Sequence, residues 1–463
     1  MSDQSINFQK DVNKIAFDKE HRRKINFNIS KYDTAVLKGK KRFSDLETAR
    51  RKAANIKHKS IIHLDKLLVE FETNFIRNGG KIVWARHAEE AAQSILRLLE
   101  NKHTLKVVKS KSMMTEEIEL NEHLAKKKIE AVETDLGEYI VQLSGEKPYH
   151  IVTPAMHKSK EDVSALFHEK FELAIDSTPE EITHFVRDKL RVTFQEAGAG
   201  ITGANFLIAD IGGIALTENE GNGLMSMAFP VCHIVVAGIE KMIPSIDDLD
   251  LFWPLLAIHG TGQAMTAYNS IVTGPVREGE GNGPSEMILV LIDNGRTSVM
   301  AKKRQRAALS CIRCGACLNA CPVYKNIGGH SYHTTYSGPI GAVITPLMKG
   351  MSEWNHLSFA SSLCGGCTEV CPVKIPLHEL LLVNRNEAVK EGFVKASEKR
   401  MMFAARKVLG SRKMLDFAKG STKNFVIRKM VSGSWGNRRL MPVFAKKSFS
   451  QLWQENQNNK KSG

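Results

Sequence analysis

Hydrophobic positions follow two alternating patterns over residues 56–300. Short runs rich in β-branched residues, typical of buried strands, are separated by segments such as AEEAAQSILRLLE, in which apolar residues recur every three to four positions. The runs that predict strands are KIVWA (81–85), LKVVK (105–109), YIVQL (139–143), FLIAD (206–210), GIALT (213–217), HIVVAG (233–238) and MILVLID (287–293). Strands that alternate with helices predict an α/β domain with a largely parallel sheet.

The regions on either side of this domain have different patterns. Residues 1–55 are polar and rich in Lys and Arg, with no strand signal, and predict a basic helical or partly ordered arm. Residues 301–385 carry two cysteine-rich segments flanked by helical sequence, and residues 386–463 form a Lys- and Arg-rich, mostly helical C-terminal region. The sequence therefore predicts an arm, an α/β domain, a cysteine-rich domain and a basic C-terminal region.

Composition and charge narrow the class of protein. A chain of 463 residues that is 42% hydrophobic can bury a sizeable core. The sequence contains no apolar run of about 18 residues and no apolar signal-peptide core, so we predict a cytoplasmic protein. Residues 381–463 hold 19 Lys and Arg against 5 Asp and Glu, which accounts for most of the net charge of +15. Such a tail can dock on anionic lipid at the inner membrane face, on an acidic partner or, less favoured here, on nucleic acid, or it can simply aid solubility.

Seven of the eight cysteines fall within residues 311–371 and indicate metal chemistry. The segment CIRCGACLNACP has the C-x-x-C-x-x-C-x-x-x-C-P spacing of bacterial ferredoxins, in which consecutive thiolates surround one corner of an iron–sulfur cluster. Structural zinc favours paired C-x-x-C units and does not explain a third cysteine at this spacing followed by Cys-Pro. The eighth cysteine, Cys232, lies in an apolar run and is predicted to be a buried structural thiol rather than a reactive one.

Crossed ligation assigns the seven cysteines to two clusters, because the fourth cysteine of each ferredoxin motif ligates the other cluster. Cluster 1 is then held by Cys311, Cys314, Cys317 and Cys371, and cluster 2 by Cys321, Cys364 and Cys367. In SLCGGCTEVCP, Ser361 stands where a fourth cysteine would be expected. The fourth ligand could be Ser361, a group such as His356, water or a partner residue, or could be missing, as in a 3Fe-4S cluster; Ser361 could equally be structural.

The two motifs are separated more widely than a compact ferredoxin requires. Forty-two residues lie between Cys321 and Cys364, with helical sequence before and after the motifs. This arrangement resembles the helical ferredoxin domains in the iron–sulfur subunits of succinate dehydrogenase and heterodisulfide reductase. The resemblance implies a module that passes electrons between a donor and an acceptor.

Glycine-rich loops are the remaining candidate sites. Gly198, Gly200 and Gly203 have G-x-G-x-x-G spacing, but helical sequence precedes them and a strand follows, which is the reverse of a dinucleotide site. The loop TENEGNGLMS follows a predicted strand, where α/β proteins usually bind ligands. Its candidate ligand-binding residues are Glu218, Asn219, Glu220 and Asn222. Ordinary Asn-Gly turn chemistry is the alternative for this loop and for REGEGNGPSE.

The chain as a whole resembles one family. The stretches GAGITGANFLIADIGGIALTENEGNG, VCHIVVAGIEKMIPSIDDL and GPSEMILVLIDNGR resemble the LUD (lactate utilization) domain, whose fold is similar to the sugar-phosphate isomerase and CoA-transferase group. Followed by CIRCGACLNACP and SLCGGCTEVCPVKIPLHELL, they resemble the lactate utilization protein B family over roughly residues 60–400. That family also has three cysteines in its second motif.

The resemblance implies a function and partners. It implies an iron–sulfur electron-transfer subunit, with two 4Fe-4S clusters or a second cluster of the 3Fe-4S type, in a three-protein bacterial system that oxidises L-lactate to pyruvate. The implied partners are a cysteine-rich heterodisulfide-reductase-like protein and a second LUD-domain protein, and the basic tail would dock the complex near a membrane quinone. Two rival hypotheses are a LUD-domain oxidoreductase acting on another hydroxy acid and a redox-sensing binding protein. No catalytic residue is predicted.

Overall fold

The structure, a computed structural model, describes residues 2–435 and 440–461. Met1 of the predicted arm, and residues 436–439 and 462–463 of the predicted basic C-terminal region, lie outside the described residues. The chain forms two compact units, Met1–Ala388 and Val389–Gly463. The domain boundaries predicted within the first unit, near residues 55 and 300, remain predictions.

Ten strands lie in the first unit: β1 Lys81–Ala85, β2 Lys106–Lys109, β3 Glu130–Glu133, β4 Ala199–Thr202, β5 Phe206–Ile208, β6 Gly213–Glu218, β7 Cys232–Gly238, β8 Met242–Ile243, β9 Tyr268–Val272 and β10 Glu286–Ile292. Its helices before β10 are α1 Asp3–Ile15, α2 Lys19–Lys40, α3 Leu46–Ile62, α4 Leu64–Arg77, α5 Ala88–Asn101, α6 Met113–Glu117, α7 Leu120–Lys126, α8 Leu136–Leu143, α9 Lys160–Phe171, α10 Pro179–Glu196, α11 Asn222–Ala228 and α12 Leu249–Thr261.

Only helices follow β10 in the described part of the chain. The first unit continues with α13 Arg296–Ala301, α14 Ala316–Ala320, α15 Pro322–Ile327, α16 Gly338–Lys349, α17 Met351–Phe359, α18 Gly366–Glu369 and α19 Leu377–Lys390, the last of which extends into the second unit. The second unit contains α20 Ala396–Leu409, α21 Arg412–Asp416, α22 Gly420–Trp435 and α23 Phe449–Lys461. The cysteine-rich region is therefore helical, as predicted. No helix of the described chain is long and apolar enough to cross a membrane.

A six-stranded parallel sheet with strand order β1-β10-β7-β4-β2-β3 is the frame of the α/β region. Strand β7 is buried along its whole length, because helices and loops cover both faces of the sheet. A smaller mixed sheet, β8-β5-β6-β9, packs beside it. All parallel strands end at one edge, so the segments after β2, β3, β4 and β7 meet there. The predicted α/β class and largely parallel sheet are confirmed.

One predicted strand is wrong. YIVQL (139–143) forms the second half of α8, whose N-terminus is capped by Asp135 through a bond from the backbone N–H of Glu138. The β-branched pair in this run indicated a strand, but the capping aspartate and the burial of three consecutive side chains favour a helix. The neighbouring strand β3, with the sequence EAVE, was missed because its mixed polarity gives no strand signal.

The N-terminal helices pack against the cysteine-rich segments. Phe8 of α1 lies edge-on to Tyr332, with ring centroids 6.1 Å apart. Arg50 of α3 donates hydrogen bonds to the carbonyl oxygens of Glu369 at 2.6 Å and Cys371 at 2.9 Å. The described residues before 55 thus form three helices joined by short turns, and α3 fixes the backbone of the second cysteine segment.

The G-x-G-x-x-G spacing has a packing explanation in this fold. Gly200 lies at the centre of the sheet in β4, and a Cβ atom there would lie 1.7 Å from the backbone carbonyl oxygen of Ser226 in α11. A helix can approach a strand this closely only where the side chain is missing. The helix–strand order at Gly198 is also the reverse of a dinucleotide site, as predicted.

Gly200→Ala is expected to lower the free energy of unfolding by about 1–3 kcal/mol, because α11 must shift away from the sheet. Chemical denaturation of the full chain measures this change. Gly281→Ala is the matched control, since a Cβ atom at that exposed position meets nothing within 4 Å. Equal midpoints for the two variants would contradict the close packing of α11.

Candidate functional site

Four of the cysteines surround one cavity in the first unit. Cys311, Cys314 and Cys317 of the first motif and Cys371 of the second motif all line it. The remaining lining is mostly apolar and includes Ile151, Ile340, Val373, Ile375 and Leu377. The structure thus brings together the four side chains that crossed ligation predicts for cluster 1.

Backbone N–H groups face the cysteine sulfurs of this cavity. The N–H of Arg313 donates to Cys311 Sγ at 3.4 Å, and that of Ile375 donates to Cys371 Sγ at 3.4 Å. The N–H groups of Ala316 and Ile340 interact in the same way with Cys314 and Cys317. Donors of this kind stabilise thiolates, and hydrogen bonds to the sulfurs also help to set the potentials of iron–sulfur clusters.

The raised pKa values of these thiols indicate which kind of group the cavity can hold. Burial, together with the neighbouring cysteines, raises the pKa of Cys314 and Cys317, and burial raises the pKa of Cys371 to about 11. Four thiolates therefore cannot share this cavity unless cations compensate their charge. An iron–sulfur core, which is a cationic centre held by cysteine thiolates, fits this donor set.

The second group of cysteines includes one exposed thiol. Cys321 interacts with Cys364, and Cys367 interacts with both, whereas Cys364 itself is exposed. The backbone N–H of Tyr324 donates to Cys321 Sγ at 3.5 Å. Backbone N–H donation from Gly366, with a hydrogen bond from the Ser362 hydroxyl, lowers the pKa of Cys364. These three side chains form a second, partly solvent-facing thiol site, as the sequence predicts for cluster 2.

The two candidate side-chain ligands of that site differ: Ser361 has a hydrogen-bond partner, whereas both ring nitrogens of His356 are buried without one in the described structure. The Ser361 hydroxyl accepts a hydrogen bond from the N–H of Leu363 at 3.1 Å. The His356 ring packs against Phe8 and Trp354, with centroid distances of 5.2 and 6.0 Å. The serine that contacts a cluster 2 cysteine is Ser362, which the sequence did not single out. Ligation by each of the seven cysteines, and the identity of any fourth ligand, remain predictions.

A cavity of about 490 Å³ lies at the carboxyl edge of the parallel sheet. It is lined by residues that follow four of the strands: 110–112 after β2, 135–137 after β3, 203–205 after β4, and Lys241 beyond β7. All four predicted loop residues, Glu218, Asn219, Glu220 and Asn222, also line it. This is the position at which open α/β sheets usually bind ligands.

The loop residues are held in defined positions. Glu218 accepts hydrogen bonds from the N–H groups of Gly223 at 2.6 Å and Leu224 at 2.7 Å, at the start of α11. Glu220 accepts one from the N–H of Leu136 at 3.1 Å. Burial of its carboxyl group, with Asp135 nearby, raises the pKa of Glu220 to about 7, although the residue as a whole is more than a third exposed.

The remaining loop amides bind protein groups. Asn219 and Gln263 exchange a pair of side-chain hydrogen bonds. The Asn222 amide donates to Thr134 Oγ1 at 3.3 Å. These two side chains therefore shape the cavity rather than offer free donors to a ligand.

Basic side chains in the same cavity were not predicted. Lys241 and Arg313 both line it, and they come from segments 72 residues apart in the chain. The available signal was the charged pair Glu240–Lys241 directly after the fully buried strand β7. A charge placed just beyond a buried parallel strand lies at the ligand-binding edge of the sheet.

A buried charge network supports this side of the cavity. Arg296 is fully buried and donates to both oxygens of Glu117, at 2.9 and 2.8 Å, and to Glu240 at 2.5 Å. The Tyr336 hydroxyl donates to Glu117 at 2.5 Å. Although burial opposes ionisation of Glu240, Arg296 and Arg313 lower its pKa to about 2. The carboxylates are thus ionised and fix the segments that carry Lys241 and Arg313.

The two cavities share part of their walls. Arg313 and Cys314 line both the four-cysteine cavity and the carboxyl-edge cavity. Ile151 also contributes to both. A ligand bound in the α/β region would therefore lie beside a cysteine of the first motif.

Comparisons with known proteins agree with this arrangement. The LUD domain family matches residues 68–292, and the 4Fe-4S dicluster domain family matches residues 307–375. Proteins named lactate utilization protein B from Bacillus velezensis and Bacillus subtilis are each 45% identical over 80% of this chain and 78% of their own length. The protein of that name from Shouchella clausii is 43% identical over 82% of this chain and 80% of its own. A crystal structure of a DUF162 family protein from Deinococcus radiodurans aligns with 50% of this chain and 98% of its own at 13% identity, with a TM-score of 0.29, too low to support an argument.

Proposed function

This chain belongs to the lactate utilization protein B family, and on that premise we propose that it is the iron–sulfur electron-transfer subunit of a multi-protein system that oxidises L-lactate to pyruvate. The names of the relatives support a role in lactate utilization. The dicluster match over residues 307–375 supports iron–sulfur clusters as cofactors.

The observation that carries the proposal is the wall shared by the two cavities. Arg313 and Cys314 border both the four-cysteine cavity and the cavity at the sheet edge. Iron–sulfur clusters supply reversible one-electron transfer when bound, a capacity that protein side chains lack. A redox centre next to a ligand cavity is the arrangement expected of a protein that moves electrons away from a substrate site.

The chain's own residues prepare this centre in three ways. The seven cysteines supply thiolates, and backbone N–H groups such as those of Arg313 and Tyr324 hydrogen-bond to them. Apolar side chains around the first group exclude water. Arg50 ties α3 to the second cysteine segment through the carbonyl oxygens of Glu369 and Cys371.

The exposure of Cys364 in the second cysteine group supports a direction of electron transfer. Cys314 and Cys371 are buried beside the α/β region, whereas Cys364 is exposed. We infer that a redox partner docks near Cys364. A cysteine-rich heterodisulfide-reductase-like protein and a second LUD-domain protein are the partners that we propose.

The second unit offers a surface for anionic membranes. Its helices combine Lys and Arg with exposed apolar side chains, among them Phe403, Phe417 and Phe425, which are 57, 91 and 68% exposed. Basic helices with exposed aromatic groups bind at the interface of anionic bilayers. We therefore propose peripheral docking near a membrane quinone. Flotation with phosphatidylglycerol vesicles but not with phosphatidylcholine vesicles is expected, and equal behaviour with both would contradict the proposal.

Growth on L-lactate tests the proposed function. In a strain with no other lactate oxidase, disruption of the gene is expected to abolish growth on L-lactate and leave growth on pyruvate unchanged. The wild-type gene should restore growth, and a Cys314→Ser allele that produces folded protein should not. Normal growth of the disrupted strain on L-lactate would exclude the proposal.

A further inference from the structure

We propose that the carboxyl-edge cavity binds a small 2-hydroxy or 2-oxo acid, with the ligand carboxylate at Lys241 and Arg313 and its oxygen substituent towards the acidic loop. The identity of the ligand as L-lactate or pyruvate rests on the proposed function. The existence of a carboxylate site rests on the cavity itself, which has a volume of about 490 Å³ and lies at the edge of the sheet where ligands bind.

Two basic groups lie at this end of the cavity, and Lys241 is the first of them. The residue is only 8% exposed, and no ion pair or hydrogen bond of its ammonium group is found among the described residues. Another lysine in the cavity, Lys111, donates to the carbonyl oxygen of Val152 at 2.7 Å and lies 3.9 Å from Asp135. Glu240 and Cys311 are the negative groups that act on Lys241, but in the described structure neither forms an ion pair or hydrogen bond with its ammonium group. A ligand carboxylate in the cavity would complete an ion pair there.

Arg313 is the second basic group at this end of the cavity. It is 9% exposed, its guanidinium stacks on the Tyr336 ring at 4.2 Å, and Nη2 lies 3.6 Å from Glu240. Its Nη1 atom is buried and has no hydrogen-bond partner in the described structure. The stacked ring and Glu240 hold the guanidinium still, which leaves one unpaired donor on a side chain that lines both cavities.

The acidic loop forms a separate electrostatic group. The charges with the largest influence on Glu220 are Asp135, Lys111 and Glu218. Those acting on Lys241 are Glu240, Arg313, Cys311 and Arg296. A 2-hydroxy acid matches both ends of the cavity: its carboxylate would face Lys241 and Arg313, and its hydroxyl would donate to the acidic loop. Dicarboxylates would place a second anion against the acids, which disfavours them.

The apolar side chains of the cavity and its place beside the first cysteine group also suit a small 2-hydroxy or 2-oxo acid. Met113, Ile151, Leu256 and Ala257 line the cavity and suit a methyl group. Cys314 also lines it, so the bound acid would lie next to the first cysteine group. The geometry therefore points to a substrate or product site in this subunit, and not solely in a partner.

Calorimetric titration of the full chain, purified anaerobically with its clusters, tests the site. L-lactate and pyruvate are expected to bind, and lactamide, which lacks the carboxylate charge, should bind at least about tenfold more weakly. Lys241→Met should weaken L-lactate binding by at least about tenfold, because it removes a charge-assisted hydrogen bond in a buried site. Lys126→Met, on the exposed face of α7, is the matched control and should bind like the wild type.

The outcomes separate this inference from the proposed function. Equal affinity of the wild type for L-lactate and lactamide, or no binding of either acid, would overturn the site even if Lys241→Met failed to fold. If the acids do not bind while the clusters are present and reducible, electron transfer stands and the substrate site lies in a partner. If the acids bind but the purified chain holds no iron or sulfide, the site stands and the proposed function fails.

Discussion

Cys371→Ser is expected to remove the same cluster as Cys311→Ser, although the two cysteines belong to different motifs and lie 60 residues apart in the chain. Both side chains line the four-cysteine cavity. Each variant should lose about four of roughly eight irons, and both should retain the same reduced-cluster signal in electron paramagnetic resonance. A cluster that keeps three thiolates can survive at low occupancy, so iron content alone does not decide the assignment. The deciding result is that both variants retain the same paramagnetic resonance signal.

Variants of the second group provide the complementary test. Cys321→Ser and Cys367→Ser should retain the other signal, because these residues lie together with Cys364. Cys232→Ser is the control, since that thiol is buried in β7 and should leave the iron content unchanged. If Cys371→Ser and Cys367→Ser gave the same spectrum, each motif would hold its own cluster and crossed ligation would be wrong.

Arg296→Met is expected to lower the free energy of unfolding by about 3–5 kcal/mol, because it leaves two buried carboxylates, Glu117 and Glu240, without their main counter-charge. Chemical denaturation of the full chain at pH 7 measures the loss. Arg23→Met is the matched control: the Arg23–Glu20 pair lies on the surface, and its removal should leave the free energy of unfolding close to that of the wild type.

The effect of pH gives an independent reading of the same network. Arg296 and Arg313 lower the pKa of Glu240 to about 2, below its ordinary value of 4.5. The ionised carboxylate therefore contributes stability above pH 4.5, and this contribution is lost as the pH falls towards 2. The difference between the wild type and Arg296→Met should be largest near neutral pH and should shrink below pH 4.5. A difference that does not change with pH would contradict the ion pair.

Sequence patterns predicted the parallel sheet because its central strands are almost entirely apolar. The runs at 233–238 and 287–293 lie in the centre of a parallel sheet, where both faces are buried and continuous apolar sequence is the signal. The run at 139–143 was misread because three apolar residues in a row also suit a short buried helix. In that case the cap at Asp135 decided the structure, and the apolar run did not.

The cysteines could be grouped from sequence, whereas the basic end of the cavity could not. The ferredoxin spacing predicts which cysteines share a cluster. The structure places Cys371 with the cysteines of the first motif, as that spacing predicts. Lys241 and Arg313 meet only because the first cysteine loop packs against the carboxyl edge of the sheet. A local sequence pattern does not predict a contact between segments this far apart in the chain. The signal that was available is a basic residue just beyond the end of a buried strand, as at Lys241.

The most direct test is whether the seven cysteines hold two clusters. It combines iron and acid-labile sulfide analysis of the anaerobically purified chain with electron paramagnetic resonance. Two 4Fe-4S centres predict about eight irons, about eight sulfides and two distinct signals on reduction, whereas a 3Fe-4S signal before reduction would identify the cluster of Cys321, Cys364 and Cys367 as a three-iron centre. Zinc in place of iron, without sulfide, would contradict electron transfer by this chain.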